Sequence, residues 1–299
     1  MVQHSKIAYT GNPLDRAGNA RRDPAFLAEA LEHPEAKFLP VFEGAPLIEK
    51  SGFAPGLGWL PMSYTGFGPE GVAPIFLGLD GAAPRWALRA HNPVFEEFGQ
   101  HVPLRETAKF LLREELAIAG QAAWLTQWQS TQGYCSRTGA PTRLGEGGLK
   151  HINDDHGHEY FPRIEPVAIV LPIFEDRVCL ATGTRFPEGL VSALAGFVEP
   201  GESLEECAAR EVAEEVGLKV THTQYVVSQP WPFPASLMVG FLAEVTGDEL
   251  TLDPQEISDA RFYTRDEVSA LTDGQRVAGK WAPPPEAVAH QLVKAWLSR

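Results

Sequence analysis

Cysteine, long apolar runs and basic charge are all scarce in this sequence. Only three of its 299 residues are cysteine, at positions 135, 179 and 207, so no disulfide framework is expected. No run approaches the ~20 apolar residues of a membrane-spanning helix. The N-terminal stretch MVQHSKIAYTGNPLDRAG lacks the apolar segment of a signal peptide. These absences predict a cytoplasmic protein that does not contact a membrane.

The charge balance narrows the class of partner. The chain has 39 acidic and 25 basic residues and a formal net charge of −14. This balance argues against a protein that grips long nucleic acids through a basic groove. Small anionic substrates stay open, because a bound divalent metal can supply the local positive charge.

The chain divides into three segments with different patterns. Residues 1–129 show short apolar runs between Pro and Gly, a helix near DPAFLAEALEH, and one or two helices in PLRETAKFLLREELAIAGQAAWLTQWQS. Residues 130–162 are broken by Gly, Pro and Thr and are typical of a linking module. In residues 163–299, VAIVLPIF, RVCLATG and SLMVGFLAEV are typical of buried strands, and PEAVAHQLVKAWL of a helix that begins at its proline. The pattern predicts an α/β fold with two lobes.

An acidic helix is predicted within AGFVEPGESLEECAAREVAEEVGL, residues 195–218. Ser203 is a candidate N-cap, with Glu206 at the third helical position in a capping-box arrangement. Leu204, Cys207 and Ala208 recur at steps of three and four and form an inward stripe. We expect Cys207, and Cys179 in its strand, to be small buried side chains rather than reactive thiols.

Three carboxylates continue the inward stripe at the same steps: Glu211, Glu214 and Glu215. An ordinary solvated helix face is the alternative, but that face would lie on the opposite side. Like charges four residues apart destabilise a helix unless a cation compensates them. Converging oxygen ligands suit Mg²⁺ or Mn²⁺, so the register predicts a metal site.

The residues around these carboxylates resemble a complete Nudix box. From Gly196 the chain continues with five residues, Glu202, seven residues and then REVAEEVGL. The resemblance to Nudix hydrolases implies an α/β/α sandwich with a mixed sheet, and hydrolysis of nucleoside diphosphates linked to another group. It also implies that Glu211, Glu214 and Glu215 hold the metal with the backbone carbonyl of Ala195. Arg210 and Glu202 would pair across the loop.

A metal-assisted hydrolysis needs positioning and charge stabilisation more than a covalent nucleophile. Metal ions can bridge diphosphate oxygens and lower the pKa of an attacking water. The general base stays open, with Glu215 as the first choice. No Ser-His-Asp or Cys-His arrangement is evident.

The stretch SQPWPFPAS, residues 228–236, places two aromatic side chains between prolines. A rigid backbone with aromatic surface suits a flat base, whereas a Pro-rich connecting loop is the ordinary alternative. The stretch is similar to the signature of the NADH pyrophosphatase subfamily of Nudix hydrolases. That subfamily cleaves NAD(H) into NMN(H) and AMP, and some members remove NAD caps from RNA.

Further stretches resemble the same subfamily: AIAGQAAWLTQWQSTQGYCSRTGAPT, HEYFPRIEPVAIVL and DPQE. DPQE adds Glu256 as a metal-associated carboxylate. The resemblance implies a homodimer and a dinucleotide pocket, with Arg105 in PLRE as a weaker candidate for substrate contact. The implied pocket residues are Phe161, Phe197, Gln229, Pro230, Trp231, Pro232, Phe233, Pro234, Ala235, Ser236 and Ala289.

The zinc ribbon of the subfamily is degenerate in this chain. Its four ligand places hold Cys135, Thr138, Asn153 and His156. Threonine is a poor zinc ligand, so zinc is not expected, and we expect packing or hydrogen bonds from Thr138 and Asn153 to hold the module. A substitute site from Cys135, His156, His151 and His158 is the alternative.

Two other functions stay open on sequence grounds. One is hydrolysis of another nucleoside diphosphate such as ADP-ribose, which the SQPWPFPAS stretch disfavours. The other is a sensor that binds a dinucleotide without cleaving it, which the complete set of box carboxylates disfavours. NAD-capped RNA is compatible with the acidic charge if recognition is confined to the cap.

Overall fold

A computed structural model describes residues 7–50, 55–68, 71–94 and 96–299. Residues 1–6 of the expected N-terminal lobe lie outside the described residues. The chain forms two compact units. The N-terminal unit contains Tyr9–Arg163 together with Trp231–Ala235, and the C-terminal unit contains Ile7 and Ala8, Ile164–Pro230 and Ser236–Arg299. Within the described ranges, no helix has the length and apolarity that crossing a membrane requires.

A six-stranded sheet forms the centre of the N-terminal unit. Helix α1, Pro24–Glu32, begins after Asp23, whose side chain accepts a hydrogen bond from the Ala25 N–H. The strands are β1 Lys37–Phe42, β2 Ala45–Ile48, β3 Leu60–Pro61, β4 Ile75–Asp80, β5 Ala83–Arg89 and β6 Gln100–His101. Their order is β4-β5-β1-β2-β6, with β3 on β1. Aromatic side chains of β1, β4 and β5 pack against α1.

The predicted helical segment after this sheet forms two helices. They are α2, Leu104–Thr107, and α3, Arg113–Thr131. Helix α3 packs against β1, β2, β4 and β5 and buries most of its length. The sheet of the N-terminal unit is therefore covered by helices, as in an α/β lobe.

Residues 130–162 belong to the N-terminal unit and form a small antiparallel sheet. Its strands are β7 Arg143–Gly145, β8 Lys150–Asn153 and β9 His158–Tyr160, in the order β7-β8-β9. The buried Arg21 binds this segment by donating from Nε to the Glu146 carbonyl, 2.9 Å away. A second Arg21 bond reaches the Phe76 carbonyl at 2.7 Å. The small sheet is thus fastened to the larger sheet of the same unit.

The C-terminal unit contains a second six-stranded sheet. Its strands are β10 Glu165–Phe174, β11 Arg177–Gly183, β12 Leu194–Phe197, β13 Val220–Trp231, β14 Ser236–Val245 and β15 Ile257–Thr264. Their order is β13-β14-β10-β11-β15, with β12 also on β10. Strand β10 runs parallel to β14 and antiparallel to β11 and β12, which confirms the predicted mixed sheet.

Strand β10 is buried on both faces, because its side chains alternate between two cores. Ala168 and Val170 pack with helix α4, Leu204–Val216. Ile169 and Leu171 pack on the other side with α5, Arg265–Thr272, and α6, Val288–Leu297. Helices on both faces of the sheet confirm the α/β/α sandwich.

Helix α6 begins at Val288, so the prediction that it begins at its proline is wrong. Three consecutive prolines, 283–285, precede it, and each proline disfavours helical geometry in the residue before it. The first helical N–H, that of Val288, donates to the side-chain oxygen of Gln229 at 2.9 Å. A residue distant in sequence therefore caps this helix.

Candidate active site

Helix α4 and the loop before it position the acidic residues of the box. Ser203 caps the helix, and its side chain and that of Glu206 make the reciprocal bonds of the predicted capping box. Gly217 ends the helix in the left-handed conformation at φ 74°. Cys207 and Ala208 are fully buried, as the predicted inward stripe requires.

Three carboxylates converge near this helix. Glu211, Glu215 and Glu256 each offer an oxygen, and these oxygens lie within 4.8 Å of one another. Glu211 and Glu215 are only 6% and 5% exposed, whereas Glu256 is exposed. Two carboxylates thus come from the buried face of α4, and one comes from the turn before β15.

Because Gly196 has no side chain, the Glu211 carboxylate can lie directly against its backbone. A Cβ at position 196 would overlap the carboxylate carbon and both oxygens of Glu211. Gly196 lies in β12, paired with Ala168 of β10, so its backbone is fixed by the sheet. The absence of a side chain therefore brings the β12 backbone against the carboxylate.

Burial and mutual repulsion make the cluster electrostatically unfavourable by itself. Burial raises the pKa of Glu215 to about 8, with further contributions from the charges of Glu211 and Glu256. A hydrogen bond from the Ala195 backbone opposes this rise. Burial also raises the pKa of Glu211. Each carboxylate therefore favours a compensating positive charge.

The donor set fits a hard divalent cation. Oε2 of Glu215 is buried and has no hydrogen-bond partner among the described residues. An unsatisfied buried carboxylate oxygen is costly, and a cation would satisfy it. Clustered carboxylate oxygens are the ligands that Mg²⁺ and Mn²⁺ prefer.

Glu214 lies outside this cluster, and its predicted inward placement is wrong. Its side chain is 60% exposed and accepts a hydrogen bond from Arg210 Nη1 at 2.9 Å. The buried face of α4 also includes Val212 and Val216, which turns its centre away from Glu214. The carboxylate is therefore at the edge of the face.

Arg210 makes the ion pair that the sequence predicts. Its Nε and Nη2 donate to the two Glu202 oxygens at 2.6 and 2.9 Å. Its Nη1 donates to Glu211 at 2.7 Å. These bonds lower the pKa of Glu202 to about 2 and raise that of Arg210. The bidentate pair fixes the loop against α4.

The SQPWPFPAS stretch is shared between the two units. Trp231–Ala235 belongs to the N-terminal unit. There the rings of Trp231 and Phe233 contact Tyr9 edge-on, at centroid distances of 6.2 and 5.7 Å. The Arg105 guanidinium lies over the Phe233 ring, 3.9 Å from its centroid. The structure thus brings the weaker candidate Arg105 together with this loop.

A cavity of about 530 Å³ in the N-terminal unit adjoins the same loop. Four of its lining residues were candidates from the sequence: Arg105, Pro232, Phe233 and Pro234. Sequence reasoning missed the others, which include Glu43, His101 and Gln127. Nothing in their sequence neighbourhoods marks them, because the cavity depends on the β1–β2 turn meeting α2 and α3.

The other candidate pocket residues differ in exposure. Phe161 and Phe197 are 64% and 58% exposed, so their rings are accessible. Ala289 and Ser236 are buried, with 4% and 6% of their surface exposed.

Gln229 is fully buried, and its amide donates to the Ala8 and Glu286 carbonyls at 3.3 and 2.9 Å. The side-chain oxygen of Gln229 accepts a hydrogen bond from the Val288 N–H, so Gln229 positions the start of α6 within the C-terminal unit. Pro230 is half-buried.

The zinc-ligand places hold hydrogen-bonded side chains. Cys135 is buried, with its Sγ 3.0 Å from the Tyr160 hydroxyl and 3.5 Å from His158 Nδ1. Oδ1 of Asn153 accepts from the His156 N–H at 3.0 Å, and Thr138 Oγ1 accepts from the Ala140 N–H at 3.3 Å.

His151 also has a buried environment. It is only 5% exposed and packs edge-on against Trp128, 4.8 Å between ring centroids. Its Nδ1 lies 2.9 Å from the Thr142 hydroxyl. Burial lowers the pKa of this imidazole. His151 was a candidate ligand from the sequence, and the structure buries it against Trp128 of α3.

Comparisons with known proteins show what this chain is similar to. The NUDIX domain family matches residues 164–283. The chain is 34% identical to NAD-capped RNA hydrolase NUDT12 of Homo sapiens, over 99% of this chain and 74% of that protein. It is 37% identical to NAD-capped RNA hydrolase NudC of Mycobacterium bovis, over 74% of each. A crystal structure of a NUDIX hydrolase from Nitrosomonas europaea aligns over 56% of this chain and 91% of that one, at 20% identity and a TM-score of 0.45.

Proposed function

The chain belongs to the Nudix hydrolase family that includes NUDT12 and NudC, and we propose that it hydrolyses the diphosphate bond of NAD(H). Water would attack one phosphorus atom and break its P–O bond to the bridging oxygen of the P–O–P anhydride, releasing NMN(H) and AMP. The names of its relatives extend the proposal to NAD caps on RNA. The net charge of −14 favours recognition confined to the cap.

The observation that carries this proposal is the convergence of Glu211, Glu215 and Glu256 within 4.8 Å. Nudix hydrolases generally need divalent metal ions, and we propose Mg²⁺ or Mn²⁺ here. Bound at the cluster, the ion would neutralise the diphosphate and lower the pKa of an attacking water. Ala195 and Glu214 remain proposed as further ligands, Glu214 after release from Arg210.

Each residue at the cluster has its own proposed role. Glu211 is held by Arg210 and by the close β12 backbone, so its role is to hold the cation in place. Glu215 has one buried oxygen without a hydrogen bond from the described residues, and it is the proposed proton acceptor for the attacking water. Arg210 and Glu202 keep the loop and helix in register.

Residues of each unit are proposed to contact the dinucleotide. In the N-terminal unit these are Arg105, Phe161 and the loop from Trp231 to Ala235, which offer aromatic and cationic surface. In the C-terminal unit they are Phe197, Gln229, Pro230, Ser236 and Ala289. We further propose that the protein is a homodimer and is located in the cytoplasm. Residues 1–129, 130–162 and 163–299 are proposed as its domains.

The test is a product assay on the purified protein with NADH, NAD⁺, ADP-ribose and NAD-capped RNA, each with Mg²⁺ or Mn²⁺. We expect NMN(H) and AMP from the dinucleotides, because the cluster supplies the metal site. Glu215→Gln should lower kcat by at least about 100-fold, since loss of a general base typically costs this much.

Glu205→Gln is the matched control. Glu205 is an exposed glutamate in the first turn of the same helix, outside the cluster. It should retain the rate of the unmodified protein. Preference for ADP-ribose would instead assign another nucleotide to the site. Binding of NADH without turnover would assign a sensor.

A further inference from the structure

The cations of the C-terminal unit are mostly paired with acidic side chains. The pairs are Arg177 with Asp248, Arg210 with Glu202, Arg261 with Glu267, Arg265 with Asp176, Lys280 with Asp259 and Arg299 with Glu244. Arg185 differs, because it is exposed and makes no ion pair or hydrogen bond with the described part of the chain. Its guanidinium is available for an external anion.

Arg185 follows a residue that is bonded to the segment carrying Glu256. The Thr184 N–H donates to the Glu256 carbonyl at 2.8 Å, and the Thr184 hydroxyl donates to the Gln255 carbonyl at 3.1 Å. Gly183 pairs with Ile257 in the sheet. The arginine therefore begins a loop at the rim of the carboxylate cluster.

The same loop is held at both ends. At its start, the Phe186 N–H donates to the Gly183 carbonyl at 2.9 Å. At its end, the Trp281 side chain donates to the Glu188 carbonyl at 3.0 Å, and the Trp281 N–H donates to the Gly189 carbonyl at 2.9 Å. These bonds confine the position of Arg185 although its side chain is unpaired.

The charge of the site explains what an arginine would do there. A diphosphate brings further negative charge to a cluster of carboxylates, and Arg210 is already engaged by Glu202, Glu211 and Glu214. A guanidinium can bind phosphate oxygens with two parallel hydrogen bonds. An unpaired guanidinium at the rim can therefore contact phosphate oxygens that face away from the carboxylates.

We propose that Arg185 binds a phosphate oxygen of the substrate's diphosphate and selects for phosphate-bearing ligands at this site. The proposal rests on the proposed function, because it takes a nucleoside diphosphate as the substrate. It adds a substrate contact from the loop after β11, which lies outside the Nudix box.

The experiment compares Arg185→Gln and Arg185→Lys with the unmodified, metal-loaded protein. For Arg185→Gln we expect kcat/KM with NADH to fall about 10- to 100-fold, as for loss of a hydrogen bond to a charged group. Arg185→Lys should recover part of this loss, because it keeps the charge but not the fork geometry. The midpoint of thermal unfolding should not move, since Arg185 is exposed and makes no ion pair or hydrogen bond with the described residues.

A binding measurement separates phosphate recognition from a general effect on the site. By calorimetry, Arg185→Gln should weaken AMP binding by a similar factor and leave adenosine binding unchanged. Lys219→Gln is the matched control: Lys219 is exposed and precedes β13, at the opposite edge of the sheet from β15. Lys219→Gln should change the affinity for neither AMP nor adenosine.

Two results would overturn the inference. One is AMP binding within twofold of the unmodified protein, and the other is an equal loss for AMP and adenosine. If the unmodified protein does not hydrolyse NADH, the proposed function fails, and the AMP comparison still decides the role of Arg185.

Discussion

The carboxylate cluster and the degenerate zinc-ligand places differ in how their donor atoms are satisfied. At the cluster, Glu211, Glu215 and Glu256 converge, and one Glu215 oxygen is buried with no hydrogen-bond partner among the described residues. At the zinc places, Cys135 contacts Tyr160 and His158, and Asn153 accepts from a backbone N–H. A cation would satisfy the Glu215 oxygen, whereas Cys135 and Asn153 already have partners in the protein.

The pKa shifts at the two places have opposite directions. Burial raises the pKa of Glu215 to about 8, with the charges of Glu211 and Glu256, and the hydrogen bond from the Ala195 backbone does not offset this rise. Burial also raises the pKa of the Cys135 thiol, but hydrogen bonds from Thr138, Tyr160 and His158 outweigh it and lower the value to about 6. Hydrogen bonds therefore outweigh burial at Cys135 but not at Glu215.

The largest expected effect that tests this contrast comes from Gly196→Ala. The new methyl group would displace Glu211 from the cluster, so affinity for Mn²⁺ should fall about 10- to 100-fold, as for other changes that misplace a ligand. Gly247→Ala is the control, because a Cβ there meets no atom within 4 Å. Metal titration of both variants checks this, and equal affinities would remove the close β12 backbone from the explanation.

A smaller effect is expected on the pH dependence of stability without metal. The folded pKa of Glu215, about 8, exceeds its ordinary value of 4.5, so the folded state binds the proton more tightly. The contribution of Glu215 to stability should therefore be greatest below about pH 4.5 and be lost as the pH rises through 8. Unfolding in EDTA across this range is the measurement.

Glu215→Gln should remove this slope, and Glu205→Gln should keep it. Saturating Mg²⁺ should also flatten the slope, because the cation stabilises the charged form. A flat profile for the unmodified protein in EDTA would contradict the argument that the cluster repels itself.

The smallest effect is expected at the zinc-ligand places. Because Cys135 and Asn153 are already hydrogen-bonded, EDTA should abolish hydrolysis without unfolding residues 130–162. Elemental analysis should find well below one zinc per chain. If the protein instead carries one equivalent of zinc and this segment unfolds when the zinc is removed, both the carboxylate cluster and the zinc-ligand places require a metal.

Local patterns predicted much of the fold and of helix α4. The capping residues Ser203 and Glu206 and the buried Cys207 follow from short-range spacing, whereas the Arg210–Glu202 pair followed from the resemblance to the Nudix box. The prediction that Glu214 lies on the buried face was wrong, because the spacing of apolar residues along a helix does not determine where the centre of that face lies. That centre depends on the sheet against which the helix packs.

The sequence by itself determined the strands of the C-terminal sheet and the acidic helix, because these depend on residue type and on steps of two to four residues. Its resemblance to the Nudix box indicated the class of chemistry and Glu256 as a further carboxylate. Only the tertiary structure decided that Glu256 converges with Glu211 and Glu215 without Glu214, that Gln229 caps α6, and that Trp231–Ala235 belongs to the N-terminal unit. Those outcomes require contacts between residues far apart in the chain. Such contacts exist only once the packing of whole elements has brought their backbones together.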